Sequence, residues 1–463
     1  MKNLTSILAA LILFGAATPV VAEEASGDWG GVLAGMLHVI VHITKDASGN
    51  YAATLESPDQ GKEVIPVDQV IATPDHLSFL VPAIKGGYDG RWDNSQKAWV
   101  GTWSQGAGLP LVLKRLDKAA LAAMTYKRPQ EEAIAQTPLP YAQEVVTFSN
   151  ATAGVTLAGT FSHPSGAGPF PAVVLISGTG PNNRDEEVFR HKIFLVLADA
   201  LNRQGIAVLR YDKRGVGKST GDYATATTAD FADDADAAVA WLKTRSDVDP
   251  KHIGVTGHSE GGLIAPIVAT RDASVAFSVL LAGPGLRGDK LAVLQGETMA
   301  RAAGTPEDKI ARMKAFNTQV MAAIVAAKSD AEATDSVKAI IANGVNEKII
   351  PPESAGAIVQ QEGSPWFRYF VCLDPVPVLR ELKSPVLVLN GAQDSQVPPK
   401  ENLAIIRDAL KDNPDATILE MPGLNHLFQD AKTGALTEYG QIEETMSPTA
   451  LETITKWLVK HSQ

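Results

Sequence analysis

With 463 residues, 45% of them hydrophobic and 20% charged, the chain has the composition of a folded globular protein long enough for two domains. Its formal charge of -11 at neutral pH disfavours nucleic acid as a partner and disfavours basic docking to anionic lipid. A single cysteine, Cys372, excludes an internal disulfide, and its neighbours Phe370, Val371 and Leu373 predict a buried, inert thiol.

The chain opens with Lys2, an apolar stretch from Leu4 to Ala17, then Pro19-Val20-Val21-Ala22 before Glu23-Glu24. That layout predicts a cleavable secretory signal over residues 1–22, hence an exported protein, periplasmic or secreted, of bacterial type. The apolar core of about 14 residues is shorter than the ~20 needed to span a bilayer, so no integral membrane segment is expected after signal removal.

Residues 23–117 read as a small all-β domain of short alternating strands and turns, such as Leu37 to Ile43, the turn Ala47-Ser48-Gly49-Asn50, and Tyr51 to Leu55. Four of the seven tryptophans, Trp29, Trp92, Trp99 and Trp103, fall here, several beside glycine, which predicts aromatic core packing. His38 and His42 share a strand face, but no third ligand follows at a useful spacing, so no metal site is expected. Residues 118–143, with Pro129, Gln130, Pro138 and Pro140, read as a linker.

Residues 144–463 change to apolar runs of strand type separated by helical segments, which predicts a mostly parallel sheet covered by helices on both faces. The runs are Ala172 to Ile176, Ile206 to Leu209, Ile253 to Thr256, Ser278 to Ala282, Val386 to Leu389 and Thr417 to Leu419. A mainly helical insertion at about 286–381 interrupts them and reads as a cap. Near its end, Trp366, Phe367, Tyr369 and Phe370 are candidates for a substrate pocket, with aromatic cap core as the other reading.

Gly257-His258-Ser259-Glu260-Gly261 lies directly between a predicted strand and a predicted helix. A serine on such a turn presents its hydroxyl at the sheet edge, and the glycines let strand and helix pass closely. Serine needs a base, and His426, in Pro422-Gly423-Leu424-Asn425-His426 after the last strand, is the candidate; His191 is a second. The base needs a carboxylate to orient it, and Asp394 follows the strand Pro385 to Asn390. Ser259, Asp394 and His426 thus form the candidate catalytic set. Oxyanion donors are expected from the amides of Glu260 and of Thr179, in Ser177-Gly178-Thr179-Gly180-Pro181. The Tyr211 to Ser219 turn lacks the glycine spacing of a dinucleotide site and reads as a brace, and no cofactor or metal is implied.

From about Glu144 onward the chain resembles the α/β-hydrolase superfamily, specifically exported bacterial esterases and serine aminopeptidase-like hydrolases. The resemblance rests on Ser177 to Asp185, on Arg210-Tyr211-Asp212-Lys213-Arg214-Gly215, on Gly257 to Gly262, and on Leu424-Asn425-His426-Leu427-Phe428. The β-module, with Gly27-Asp28-Trp29-Gly30-Gly31 and Ser57-Pro58-Asp59-Gln60-Gly61, looks like the N-terminal extension of such hydrolases. Ser177 departs from the pattern, since many relatives carry His there. The resemblance implies an α/β-hydrolase fold and a serine hydrolase of small carboxylic esters, with short or medium acyl chains. A peptidase or aminopeptidase, and a non-catalytic binding protein on the same scaffold, are the alternatives.

Overall fold

The computed structural model describes residues 24–33, 37–58, 64–105, 107–124, 127–136 and 138–462. The expected signal segment, 1–22, lies outside the described residues, as do Asp59, Gln60 and Gly61. The chain divides into two compact units, Met1–Thr125 and Tyr126–Gln463.

The first unit is a closed antiparallel barrel of eight strands in sequence order, from Gly27–Leu33 to Ala107–Leu116, which pair with each other to close it. Closure removes the sheet edges that an open meander would leave unpaired. Trp29, Phe79, Trp99 and Trp103 are buried inside, and Trp29 and Trp92 both meet Trp99 edge-on. Tyr88 keeps its buried hydroxyl satisfied by donating to the carbonyl of Trp99 at 3.0 Å. His42 pairs with Asp28 at 2.6 Å and His76 with Asp89 at 3.1 Å, so both serve as strand-face partners of carboxylates.

The stretch read as a linker holds helices at Lys118–Met124 and Pro129–Ala135, and the strand Tyr141–Asn150 begins inside it. Pro129 stands at the start of its helix, where a missing N–H is no loss, so the proline that suggested a break opens an element instead.

The second unit is built on an eight-stranded sheet. Its spatial order is Ala416–Met421, Val386–Gly391, Ser278–Leu281, Val248–His258, Phe170–Ile176, Ala207–Tyr211, Val155–Pro164 and Tyr141–Asn150. The first six run parallel and the last two form an antiparallel edge. Alternate residues of one strand feed opposite cores: Ala172, Val174 and Ile176 pack on one face, Val173 and Leu175 on the other. The first face is covered by helices Thr228–Lys243, Gly261–Arg271 and Pro399–Ala409, the second by Ile193–Arg203 and Pro448–His461. Burial on both faces explains the unbroken apolar runs.

Between Ser278–Leu281 and Val386–Gly391 the chain forms six helices, the longest Glu307–Ala326. Phe367 and Phe370 pack in their core with Leu291, Phe316, Met321 and Leu263, the last from helix Gly261–Arg271. That helix therefore buries Ile264 against the sheet and Leu263 against the insertion, which explains why it is apolar nearly all round. Cys372 is exposed, contrary to the expected burial: it ends helix Pro365–Cys372 and turns outward while Val371 takes the inner position.

Candidate active site

Parallel strands deliver their C-terminal ends to one sheet edge, and Ser259, Asp394 and His426 each follow such an end. Ser259 has φ +54°, a left-handed conformation that a non-glycine residue adopts only under constraint. The constraint is visible in its neighbours. A Cβ on Gly257 would lie 1.8 Å from the carbonyl oxygen of Gly261, and one on Gly261 would lie 2.0 Å from that of Ile176. Strand, turn and helix backbones thus pass too closely for any side chain at these two positions. Ser259 itself is half-buried.

Asp394 is oriented from both oxygens. Its Oδ1 accepts the backbone N–H groups of Gln396 and Val397, each at 2.8 Å, and its Oδ2 lies 2.8 Å from Nδ1 of His426. A carboxylate only accepts, so Nδ1 carries the proton and Nε2 is left as the basic nitrogen. Both side chains are buried, which strengthens the pairing. The loop bearing His426 is held by Asn425, whose Oδ1 accepts from the amides of Leu427 and Gln429.

The two expected oxyanion donors lie on pinned backbone. The carbonyl of Gly178 accepts from Lys213 Nζ at 2.6 Å and from Asn182 Nδ2 at 2.8 Å. In a trans peptide the next N–H points opposite to that carbonyl, so these two bonds also fix the direction of the Thr179 amide. Glu260 stands at the N-terminus of helix Gly261–Arg271 with its carboxylate wholly buried. Its Oε1 accepts from Thr228 Oγ1 at 2.8 Å and Trp366 Nε1 at 2.7 Å, and its Oε2 pairs with Lys213 at 3.1 Å.

Of the four aromatic pocket candidates, Trp366 is the one bonded to the elbow. It stacks on Phe370 at 5.4 Å. Phe367 and Phe370 serve as packing core, whereas Tyr369 faces outward at 37% exposure, on the other side of its helix. His191 is buried against the Tyr439 carbonyl and Thr445 Oγ1. Sequence reasoning missed Glu186, Lys213, Thr228 and His258 as individual partners. Their one local signal was the Tyr211 to Ser219 turn, read as a brace, in which Lys213 lies. Among the described residues, no group of three or more His, Cys, Asp or Glu side chains is placed to hold a metal ion, and no helix is long and apolar enough to cross a membrane.

Residues 173–436, which include Ser259, Asp394 and His426, match the alpha/beta hydrolase family, and the chain belongs to that family. Esterase EstD of Thermotoga maritima is 30% identical over 307 residues, a stretch that spans 66% of this chain and 66% of that protein. An uncharacterized Mycobacterium tuberculosis protein is 36% identical over 132 residues, 28% of this chain and 42% of its own length. Among solved structures, an esterase of Pyrococcus furiosus aligns with a TM-score of 0.44 at 17% identity, covering 70% of this chain and 92% of that one.

Proposed function

We propose that the protein is a serine hydrolase that cleaves carboxylic esters of short or medium acyl chain through an acyl-enzyme on Ser259. The observation that carries this reading is the left-handed Ser259 at a strand-to-helix turn, set at the same sheet edge as a His426–Asp394 pair with Nε2 left basic. In this mechanism Ser259 Oγ attacks the ester carbonyl while His426 Nε2 takes its proton. The amides of Glu260 and Thr179 receive the developing oxyanion. Collapse expels the alcohol, which takes the proton back from His426, and water repeats the sequence on the acyl-enzyme to release the acid. Asp394 holds the imidazole in its working tautomer and stabilises the imidazolium.

The 30% identity to an esterase supports an ester substrate. The same three side chains would cleave amides, but an aminopeptidase needs an acid for the substrate amine. Glu260, the carboxylate next to the serine, is already committed to Lys213, Thr228 and Trp366. Trp366, stacked on Phe370 and bonded to the residue after Ser259, is the insertion side chain read here as bounding a short or medium acyl group. The presence of all three side chains argues against a binding protein.

The test is an acyl ladder of aryl esters beside a panel of aminoacyl amides, with wild type and Ser259→Ala. Ester turnover that fades with chain length and falls by about 10⁴-fold or more in the variant is the expected result. Stronger amide turnover, or ester turnover that survives the substitution, overturns it.

A further inference from the structure

Glu186 and His258 are both buried, and neither takes part in the steps above. Glu186 has φ +45°. The turn that imposes this conformation is tied down at the two residues before it: Arg184 donates to both carboxylate oxygens of Asp212, at 3.0 and 2.7 Å, and Arg210 pairs with Asp185. Backbone strain of this kind persists where the surroundings impose it. Here its result is to hold one carboxylate beneath two loops of the site. Glu186 Oε1 accepts the Gly178 N–H at 2.6 Å and lies 2.9 Å from His258 Nδ1. His258 Nε2 lies 3.0 Å from the main-chain oxygen of His426.

We infer that Glu186 and His258 are an ion pair that positions both halves of the hydrolytic site, the oxyanion loop through the Gly178 amide and the base loop through the His426 carbonyl. The inference rests on the reading of the site given above. The charge follows from donor and acceptor counting. With Glu186 ionised, both ring nitrogens of His258 face oxygens that accept, so a neutral imidazole, with one N–H, would turn a lone pair toward one of them. The imidazolium satisfies both. Glu186 Oε2 is buried with no hydrogen-bond partner among the described residues, so this carboxylate depends on His258 for its counter-charge. Burial opposes charge on His258, but the Glu186 carboxylate, the bond to the His426 carbonyl and the field of Asp394 outweigh it. Together they hold its pKa above the ordinary histidine value. Glu186 and His258 are positioning residues: they set where the donors and the base sit and touch no reacting atom.

The first measurement is a long-range ¹⁵N histidine spectrum of the full chain at pH 7.5, where an ordinary histidine is about nine-tenths neutral. The expected result is a His258 ring with both nitrogens at imidazolium shifts, assigned by its loss in His258→Gln or by Overhauser contact with the Gly178 amide. A neutral ring overturns the ion pair. The second is a cycle of Glu186→Gln, His258→Gln and the double variant on the best ester. Each single change should lower kcat by tenfold or more with KM within about twofold. The double variant, which strands no charge, should lose no more than the worse single. Unchanged kcat, or losses that multiply, overturn the positioning role. A wild type that turns over no ester defeats the reading of the site instead, and the spectrum still tests the ion pair.

Discussion

The indole N–H of Trp366 donates to Glu260 Oε1 across 2.7 Å, which ties the helical insertion to the residue directly after Ser259. A hydrogen bond to a charged group contributes about 1.5–3 kcal/mol. In Trp366→Phe the ring packing remains while this bond is lost, and among the described residues Thr228 alone is left to donate to Oε1. The helix Pro365–Cys372 should therefore open more often, with KM for esters raised about three- to tenfold and the fold retained. Hydrogen–deuterium exchange read by mass spectrometry checks it: faster exchange over this helix is expected, and an unchanged rate means the bond does not hold the insertion.

Lys213 joins the two expected oxyanion donors, since its Nζ reaches both the Gly178 carbonyl and Glu260 Oε2 and also sits 4.2 Å over the ring of Phe231. Lys213→Met removes the cation and leaves the Glu260 carboxylate buried without it, a change that costs about 3–5 kcal/mol. Urea unfolding should show that loss. Adding Glu260→Gln should restore most of the stability, because the stranded charge is gone. Activity should not return in parallel: the Gly178–Thr179 peptide has still lost its 2.6 Å anchor, and one misdirected oxyanion donor costs about 10²-fold in kcat.

The residues now grouped at one sheet edge were legible wherever their signal was local. Ser259, Asp394 and His426 each follow a short apolar strand, and strands buried on both faces announce themselves as unbroken runs such as Ala172 to Ile176. Glu186 carried no such signal. It lies in a polar turn, its left-handed backbone is not written in its residue type, and its partner His258 is 72 residues away in sequence. Barrel closure was hidden for the same reason, since Trp29 pairs with Arg115 across the whole module. Phe367 and Tyr369 are two apart on one helix, yet one is core and the other surface, a distinction set by packing.

Two glycines of the site differ in what surrounds them, and alanine should reveal it. At Gly178 a Cβ would meet Glu186 Oε1 at 2.9 Å, Ser259 Cβ at 3.0 Å and the main-chain oxygen of His258 at 3.2 Å, contacts that shifts of a few tenths of an ångström in the site loops would relieve. Gly178→Ala should fold, with Tm lowered by a few degrees and kcat lowered at least tenfold as Ser259 is displaced. At Gly261 the Cβ would lie 2.0 Å from a main-chain oxygen of the central sheet. Gly261→Ala should fail to give soluble protein. Equal yields and melting temperatures for the two variants would contradict this account of the elbow.

His191 sets an acid limit on stability. Burial lowers its pKa to about 3, the Arg128 guanidinium adds to the effect, and the bond to the Tyr439 carbonyl only partly opposes them. Once the pH drops below the ordinary histidine pKa of about 6.5, the unfolded chain takes up a proton that the folded chain refuses until about pH 3. The unfolded state is thus favoured increasingly across that window, by up to about 1.4 kcal/mol per pH unit for one proton. Stability from this group is present above pH 6.5 and lost as pH falls toward 3. His191→Gln keeps a donor for Tyr439 but has nothing to titrate, so its free energy of unfolding should fall less steeply, by close to one proton's slope. Urea titrations of both proteins from pH 7 to pH 4.5 measure the difference; parallel lines would mean that His191 takes its proton inside the fold without cost.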